Sequence, residues 1–300
     1  MGKSDITRDI RRWYRSRGRL LPWRGSKNPY HVLLSEIMLQ QTQVSRVLTK
    51  FPAFLRRFPT LRALAASRVR DVVIAWRGMG YNNRAVRLHA LARTLKVRYS
   101  FVLPRTEVEL RNLPGIGKYT AHAILSSVHG LAVPVVDINV RRFLSRLLYQ
   151  MPTLDAMMDE RRIWSDAQEL LPSSRVYEWN QALMDIGALV CTARRPVCDF
   201  CPVGHRCQSR GTMRRIRSGS IRREKSHHGI PNRIYRGRIV DHLRTVRRRS
   251  GVSDRVLGRT ILSAYGDSDR EWLRGLLHSL ERDGIVALRR TRGGIRAALA

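Results

Sequence analysis

Apolar residues recur at three-and-four spacing through the first two thirds of the chain. The pattern covers Ser4–Arg17, Tyr30–Leu48, Val69–Met79, Asn83–Tyr99, Tyr119–His129, Asn139–Tyr149, Ala156–Leu171 and Tyr177–Val190, and each stretch predicts a helix with one buried face. Proline, glycine and polar breaks part them, among them Pro22, Pro29, Pro59, Gly78, Gly80, Pro104, Pro134 and Pro172,. Two-residue alternation hardly occurs until the end of the chain, so residues 1–210 read as a mainly α domain. Gly211–Gly229 is rich in Arg, Ser and Gly with no apolar period and reads as a linker, 211–229, whose basic residues could also track a phosphate backbone. Helices return at Ile234–Val246, Asp254–Ser263 and Asp269–Asp283, followed by short strands at Ile285–Arg289 and Gly294–Leu299. Three helices and a β-hairpin make 230–300 a winged-helix-like domain, whose third helix would enter a DNA major groove. Packing on the main domain or on another protein is the competing use.

Charge narrows the partners. Lys and Arg number 57 against 23 Asp and Glu, a formal net charge of +34, which draws a protein to polyanions with a steep salt dependence. Nucleic acid fits best. No segment joins a basic face to an exposed apolar one, which argues against a membrane surface, and no apolar run is long enough to span a bilayer. Met1–Trp13 is polar and charged, so no secretory leader is expected, and a reducing, cytoplasmic, nucleoid-associated location follows.

The four cysteines stand together, at Cys191, Cys198, Cys201 and Cys207, spaced C-x6-C-x2-C-x5-C. Soft thiolates from one short segment select zinc or an iron-sulfur cluster. A zinc ribbon normally uses two C-x2-C pairs, and two disulfides do not suit a reducing compartment. The ligand type and spacing predict a 4Fe-4S cluster.

Leu113-Pro114-Gly115-Ile116-Gly117-Lys118-Tyr119-Thr120-Ala121 reads as a tight turn between helices, with backbone N–H groups facing outward at the next helix start, a site for a DNA phosphate. As an isolated Gly-x-Gly it would be an ordinary interhelix turn. Asp137, in Val135-Val136-Asp137-Ile138-Asn139-Val140, is either a plain helix cap or a carboxylate at the lip of a groove. Glu36 sits among Val32, Leu33 and Ile37, where a charge is costly unless paired or used.

Taken in order, the Gly-x-Gly hairpin, the downstream Asp and the cysteine loop resemble the base-excision DNA glycosylase superfamily that includes endonuclease III, over residues 5 to 210. Leu21-Pro22-Trp23-Arg24, Ser35-Glu36, Met38–Gln43, Gly78-Met79-Gly80-Tyr81 and Trp179–Asp185 carry the likeness toward its MutY-like adenine glycosylase branch. The resemblance implies two helical subdomains, extrusion of a nucleotide from double-stranded DNA, and cleavage of its N-glycosidic bond by a monomer. In the lyase branch a lysine attacks the sugar at the position of Tyr119. A phenol cannot form a Schiff base, so a monofunctional hydrolase is expected, and Lys118 is rotated about 100° away on the helix.

By the same resemblance Glu36 is the acid that protonates adenine, Asp137 stabilises the sugar cation, and Tyr119 and Asn139 position the pair. Gln41, Tyr81, Gly115, Gly117, Lys118, Trp23 and Arg24 are the expected DNA contacts, and Arg194, Arg195 and Arg206 would meet phosphates from the cysteine loop. Nothing after residue 210 resembles the Nudix-like domain that ends typical members of the branch, which leaves open whether 8-oxoguanine is required opposite adenine. Ser226-His227-His228 reads as solvated linker, with a probe of the opposite base as the competing role. Thymine or uracil glycosylases of the same superfamily also carry Tyr and Asp at the positions of Tyr119 and Asp137. A noncatalytic DNA-binding protein is the reading of a different class.

Overall fold

The computed structural model describes residues 3–26, 28–151, 157–212, 224–246 and 251–300. Fourteen α-helices and two small sheets occur among them. The helices are α1 (Lys3–Arg17), α2 (Pro29–Leu39), α3 (Val44–Arg57), α4 (Leu61–Ala66), α5 (Val69–Ala75), α6 (Asn83–Tyr99), α7 (Glu107–Arg111), α8 (Lys118–Ser127), α9 (Ile138–Tyr149), α10 (Glu160–Glu169), α11 (Val176–Asp185), α12 (Asn232–Thr245), α13 (Asp254–Ile261) and α14 (Arg270–Arg282). None is long and apolar enough to cross a membrane. The expected linker falls largely on 213–223, and the start of the helix expected from Ala156 on 152–156; both stretches lie outside the described residues.

The chain divides into two units. The first comprises Met1–Leu33, Arg105–Asn112 and Ile116–Ile221. Its core gathers Ile10 of α1, Val140, Phe143, Leu144 and Leu147 of α9, Ile163 of α10 and Trp179 and Leu183 of α11, the apolar stripes that the period anticipates. Past α11 the chain widens into a π-helical turn, Ile186–Val190, where one unbroken helix to Val190 is expected; such turns are frequent at functional sites.

The second unit comprises Leu34–Pro104, Leu113–Gly115 and Arg222–Ala300. Phe54, Leu64, Val72, Trp76, Leu88, Leu91 and Leu95 are buried in its first part, with Phe54 edge-on to Trp76 at 5.7 Å. The helix expected over Tyr30–Leu48 is two helices instead, α2 and α3, parted at Gln40–Gln43. The cause is Arg84. Its guanidinium takes the carbonyls of Ile37, Met38 and Gln40, acceptors that the next helical turn would otherwise have supplied with amide donors, and Gln41 turns to φ +53°.

In the tail, α12, α13 and α14 pack around Tyr235, Ile239, Leu257, Leu273 and Leu277. Strands β3 (Val252–Ser253), β4 (Val286–Thr291) and β5 (Gly294–Leu299) form an antiparallel sheet in the order β3-β5-β4. Ile295, Ala297 and Leu299 alternate inward along β5, as period two requires. The end of the expected linker is not free of structure: β1 (Ser226–His227) pairs antiparallel with β2 (Ile230–Pro231).

Candidate active site and cysteine centre

Asp137 belongs to the first unit. It caps α9, Oδ1 accepting the Val140 N–H at 2.7 Å, while Oδ2 accepts the Asn139 side-chain amide at 2.7 Å. Asp137 is therefore a helix cap whose second oxygen is steadied by Asn139. Asn139 is held in turn by Arg142, whose Nη2 donates to its Oδ1 at 3.0 Å and to the Gly187 carbonyl, and whose Nε donates to the Cys191 carbonyl at 2.9 Å. Gly187 is tied to this packing. A Cβ there would stand 2.8 Å from the Asn139 side chain, so the π-helical turn approaches α9 as only glycine permits. Asn180, buried, fixes the stretch leading into Asp137 by bonds to Ser126, the Val133 carbonyl and the Val135 N–H. Tyr119 is half-buried, its hydroxyl 3.5 Å from Met184 Sδ.

Glu36, Gln41 and Tyr81 belong to the second unit. Glu36 lies on α2 and is the only buried glutamate among the described residues. Gln41 and Tyr81 are exposed and both non-glycine residues hold left-handed backbone, at φ +53° and +44°. Such conformations cost about 1–3 kcal/mol each and gather at functional sites. One side chain secures both. Besides the carbonyls at the end of α2, Arg84 donates to Thr42 Oγ1 and to the Met79 and Gly80 carbonyls. Burial pulls its guanidinium down to about 10. Nothing in the sequence distinguishes this arginine from its many neighbours.

The tail borders the same region. Arg244 of α12 donates to the Val73 carbonyl at 2.9 Å and to Asn82 Oδ1 at 2.8 Å, and Arg70 donates to the Val246 carbonyl at 3.0 Å. Gln41, Arg46 and Tyr81 line a cleft of about 630 Å³ together with Arg233 and Arg238 of α12.

Two of the expected DNA contacts are engaged within the protein. Trp23 is a buried core residue, and Arg24 is spent on Asp185, which it grips with both terminal nitrogens at 2.8 Å. In the Gly-x-Gly hairpin Gly115 takes φ +83°, left-handed backbone that favours glycine. Gly117 is extended at φ −98°, a conformation open to any residue; the space beside it is empty, which leaves the N-terminus of α8 clear. Lys118 places its ammonium 4.0 Å over the Trp164 ring. In the cysteine loop Arg194 and Arg195 are exposed, whereas Arg206 faces Asp5 and Asp9 at 3.8 Å.

Cys191, Cys198, Cys201 and Cys207 line one small cavity with Gly204 and Arg146. A Cβ on Gly204 would sit 2.7 Å from the Cys198 carbonyl and 3.4 Å from the Cys201 side chain, so glycine keeps that cradle open. Arg146 donates to the Cys191 sulfur and to the Thr192 and Ala193 carbonyls. Burial pushes the Cys201 thiol up to about 12, and Cys198 and Cys207 are raised by the same cause.

Residues 34–167 match the HhH-GPD superfamily of base excision DNA repair proteins. An adenine DNA glycosylase of Mycolicibacterium smegmatis is 39% identical over 275 residues, 91% of this chain and 90% of that protein. Adenine DNA glycosylase of Homo sapiens is 38% identical over 70% of the chain and 40% of its own length. The chain belongs to the adenine DNA glycosylase family of this superfamily. A thermostable thymine-DNA glycosylase superposes with a TM-score of 0.64 at 26% identity, covering 70% of this chain and 97% of that one. A DNA complex of endonuclease III shares the fold, with a TM-score of 0.60 at 22% identity, 71% of this chain and 98% of that one. The 91% share taken by the mycobacterial relative cannot fit within the first 210 residues, so that likeness extends into the tail.

Proposed function

We propose that the chain hydrolyses the N-glycosidic bond of adenine mispaired with 8-oxoguanine or guanine, without a lysine Schiff base. The observation that carries the adenine part of this reading is the 39% identity to an adenine DNA glycosylase over 91% of the chain. The lack of a Schiff base rests on Tyr119 standing in place of an amine, with Lys118 resting on Trp164, on the same unit as the Asp137 carboxylate held by Asn139 and Val140. An extruded deoxyadenosine meets Glu36 as its acid: a proton on the adenine ring nitrogen makes the base a competent leaving group. As the C1′–N bond breaks, positive charge builds on the sugar and Asp137 stabilises it, with capture of C1′ by an Asp137 oxygen as the retaining route. Glu36, now ionised, accepts a proton from water as the water oxygen bonds to C1′ and the Asp137 ester is released. Asn139 keeps the Asp137 carboxylate aimed throughout.

The cysteine centre fits a 4Fe-4S cluster, because four thiols surround one cavity and Gly204 leaves room beside two of them. Bound there by Cys191, Cys198, Cys201 and Cys207, it would supply metal–thiolate bonds that close the loop. The loop then presents Arg194 and Arg195 to phosphates. Residues 230–300 serve as a winged-helix-like DNA-binding domain in a monomer acting on double-stranded DNA, and the arginines of α12 beside Gln41 and Tyr81 support that use.

Single-turnover cleavage of duplexes with A opposite 8-oxoguanine, A opposite G, T opposite G and U opposite G, each with and without alkali, tests the reading. Breaks that need alkali and appear fastest with A opposite 8-oxoguanine are expected. Preference for T or U would establish the second reading, which the thymine-DNA glycosylase neighbour favours. No cleavage of any duplex would leave a DNA-binding protein.

A further inference from the structure

The β1–β2 hairpin carries side chains that the glycosylase chemistry does not use. His227 Nε2 lies 2.7 Å from Asp269 Oδ1, and His228 Nε2 lies 3.2 Å from the same oxygen. All three donor atoms fall within 4.8 Å of one another. Tetrahedral zinc with bonds of about 2.0–2.1 Å to nitrogen and oxygen sets its ligands roughly 3.3 Å apart, so side-chain shifts of an ångström or so would admit the ion. We propose that His227, His228 and Asp269 form a zinc site, with water completing the coordination, that pins the hairpin to the tail's helical core.

Three features separate this cluster from a chance meeting of polar groups. The first is that the donors are oriented. The His227 ring stacks on Trp272 at 3.9 Å and 17°, Trp272 donates its indole N–H to Asn232, and the second Asp269 oxygen accepts the Gly266 N–H at 2.9 Å. Fixed partners of this kind set ligand geometry in metal sites. The second is the turn. His228 takes φ +45° and Gly229 +74°, a two-residue hairpin loop in which Asn-Gly or Asp-Gly is the usual pair. A histidine there gives the loop a ligand that Asn would not. The third is charge. In a chain with 57 Lys and Arg, buried Asp269 has no Lys or Arg partner among the described residues; the side chains that approach it are the two histidines. Two neutral imidazoles and a carboxylate suit a dication.

The consequence would be a crosslink between residues 227–228 and 269 in a small domain, where a structural metal supplements a limited core. The probe is zinc ion alone, added to full-length protein with its iron counted, followed by desalting and elemental analysis. Wild type should retain one zinc beyond its iron; His228→Ala should lose it with iron and base release unchanged, and Asp269→Ala should lose it too. His228 is more than half exposed, so its replacement spares the fold. X-ray absorption at the zinc edge should show a nitrogen and oxygen shell near about 2.0 Å without sulfur. A wild-type protein that retains no zinc, zinc undiminished by His228→Ala, or sulfur in its shell would each overturn the proposal.

Discussion

Arg142 donates through Nε to the Cys191 carbonyl at 2.9 Å, and the same guanidinium holds the Asn139 side chain that rests on Asp137. The first cysteine of the loop is thus two side chains from the carboxylate assigned to the sugar cation. Through these bonds a cluster held by the loop would bear on where Asp137 points. Arg142→Met should slow single-turnover base release about 100-fold, the scale of a misplacement near 1 Å, while DNA affinity is kept. Removing iron should give the same loss in wild type and add little to the variant.

Asp137→Asn and Glu36→Gln separate charge from shape. Asp137→Asn should lower the single-turnover rate by about 10²–10³ through lost stabilisation of the cation. Glu36→Gln should lower it by about 10²–10⁴ through lost proton transfer. Binding of an uncleavable duplex should persist in both; turnover unchanged in either would remove that residue from the mechanism.

Asp185 gives an acid-side signature. Burial alone would raise its carboxyl, but the bonds from Arg24 and Arg19 outweigh burial and hold it below the usual carboxylate range. Its unfolded value is about 3.9, so its stabilisation is full above that pH and is lost as pH falls through the lower, folded value. Melting temperatures of wild type should therefore decline on acidification over that window. Asp185→Asn should remove this part of the decline and lower stability at neutral pH, because two half-buried arginines lose a fully buried partner,.

Arg84→Met should destabilise the second unit: five backbone carbonyls lose the guanidinium donor, and although Gln40, Met79 and Gly80 keep a bond from Thr42 or Trp76, each carbonyl left unpaired and dry costs about 1–3 kcal/mol. Arg84→Lys should restore little, since one ammonium cannot reproduce the planar fork. Thermal melts of the two variants against wild type decide it.

Arg244→Ala should loosen α12 from Val73 and Asn82. DNA affinity should then fall, and the plot of log affinity against log salt should become shallower by about 0.9 for each phosphate that the variant no longer neutralises. An unchanged slope would show that the tail neutralises no phosphate through this docking.

Much of this architecture is legible in the sequence, because helical stripes and clustered cysteines are local signals. Asn83–Tyr99 is placed to the residue, and β5 likewise. Asp137 is legible as a cap, because an acceptor side chain at a helix start is a local signal,. What escapes is what depends on distant partners. The break at Gln40–Gln43 is made by Arg84, more than forty residues on. Trp23 and Arg24 look like surface recognition residues until Asp185 is placed beside the arginine. His227 and His228 look like solvated linker until Trp272 and Asp269 come round to meet them.

The loops bearing Gln41 and Tyr81 hang from one guanidinium. Its bonds run to Gln40 and Thr42 on one side and to Met79 and Gly80 on the other, so a shift of that one side chain would disturb both loops. A spectroscopic label on either tip should then respond to Arg84→Met, although neither tip is substituted.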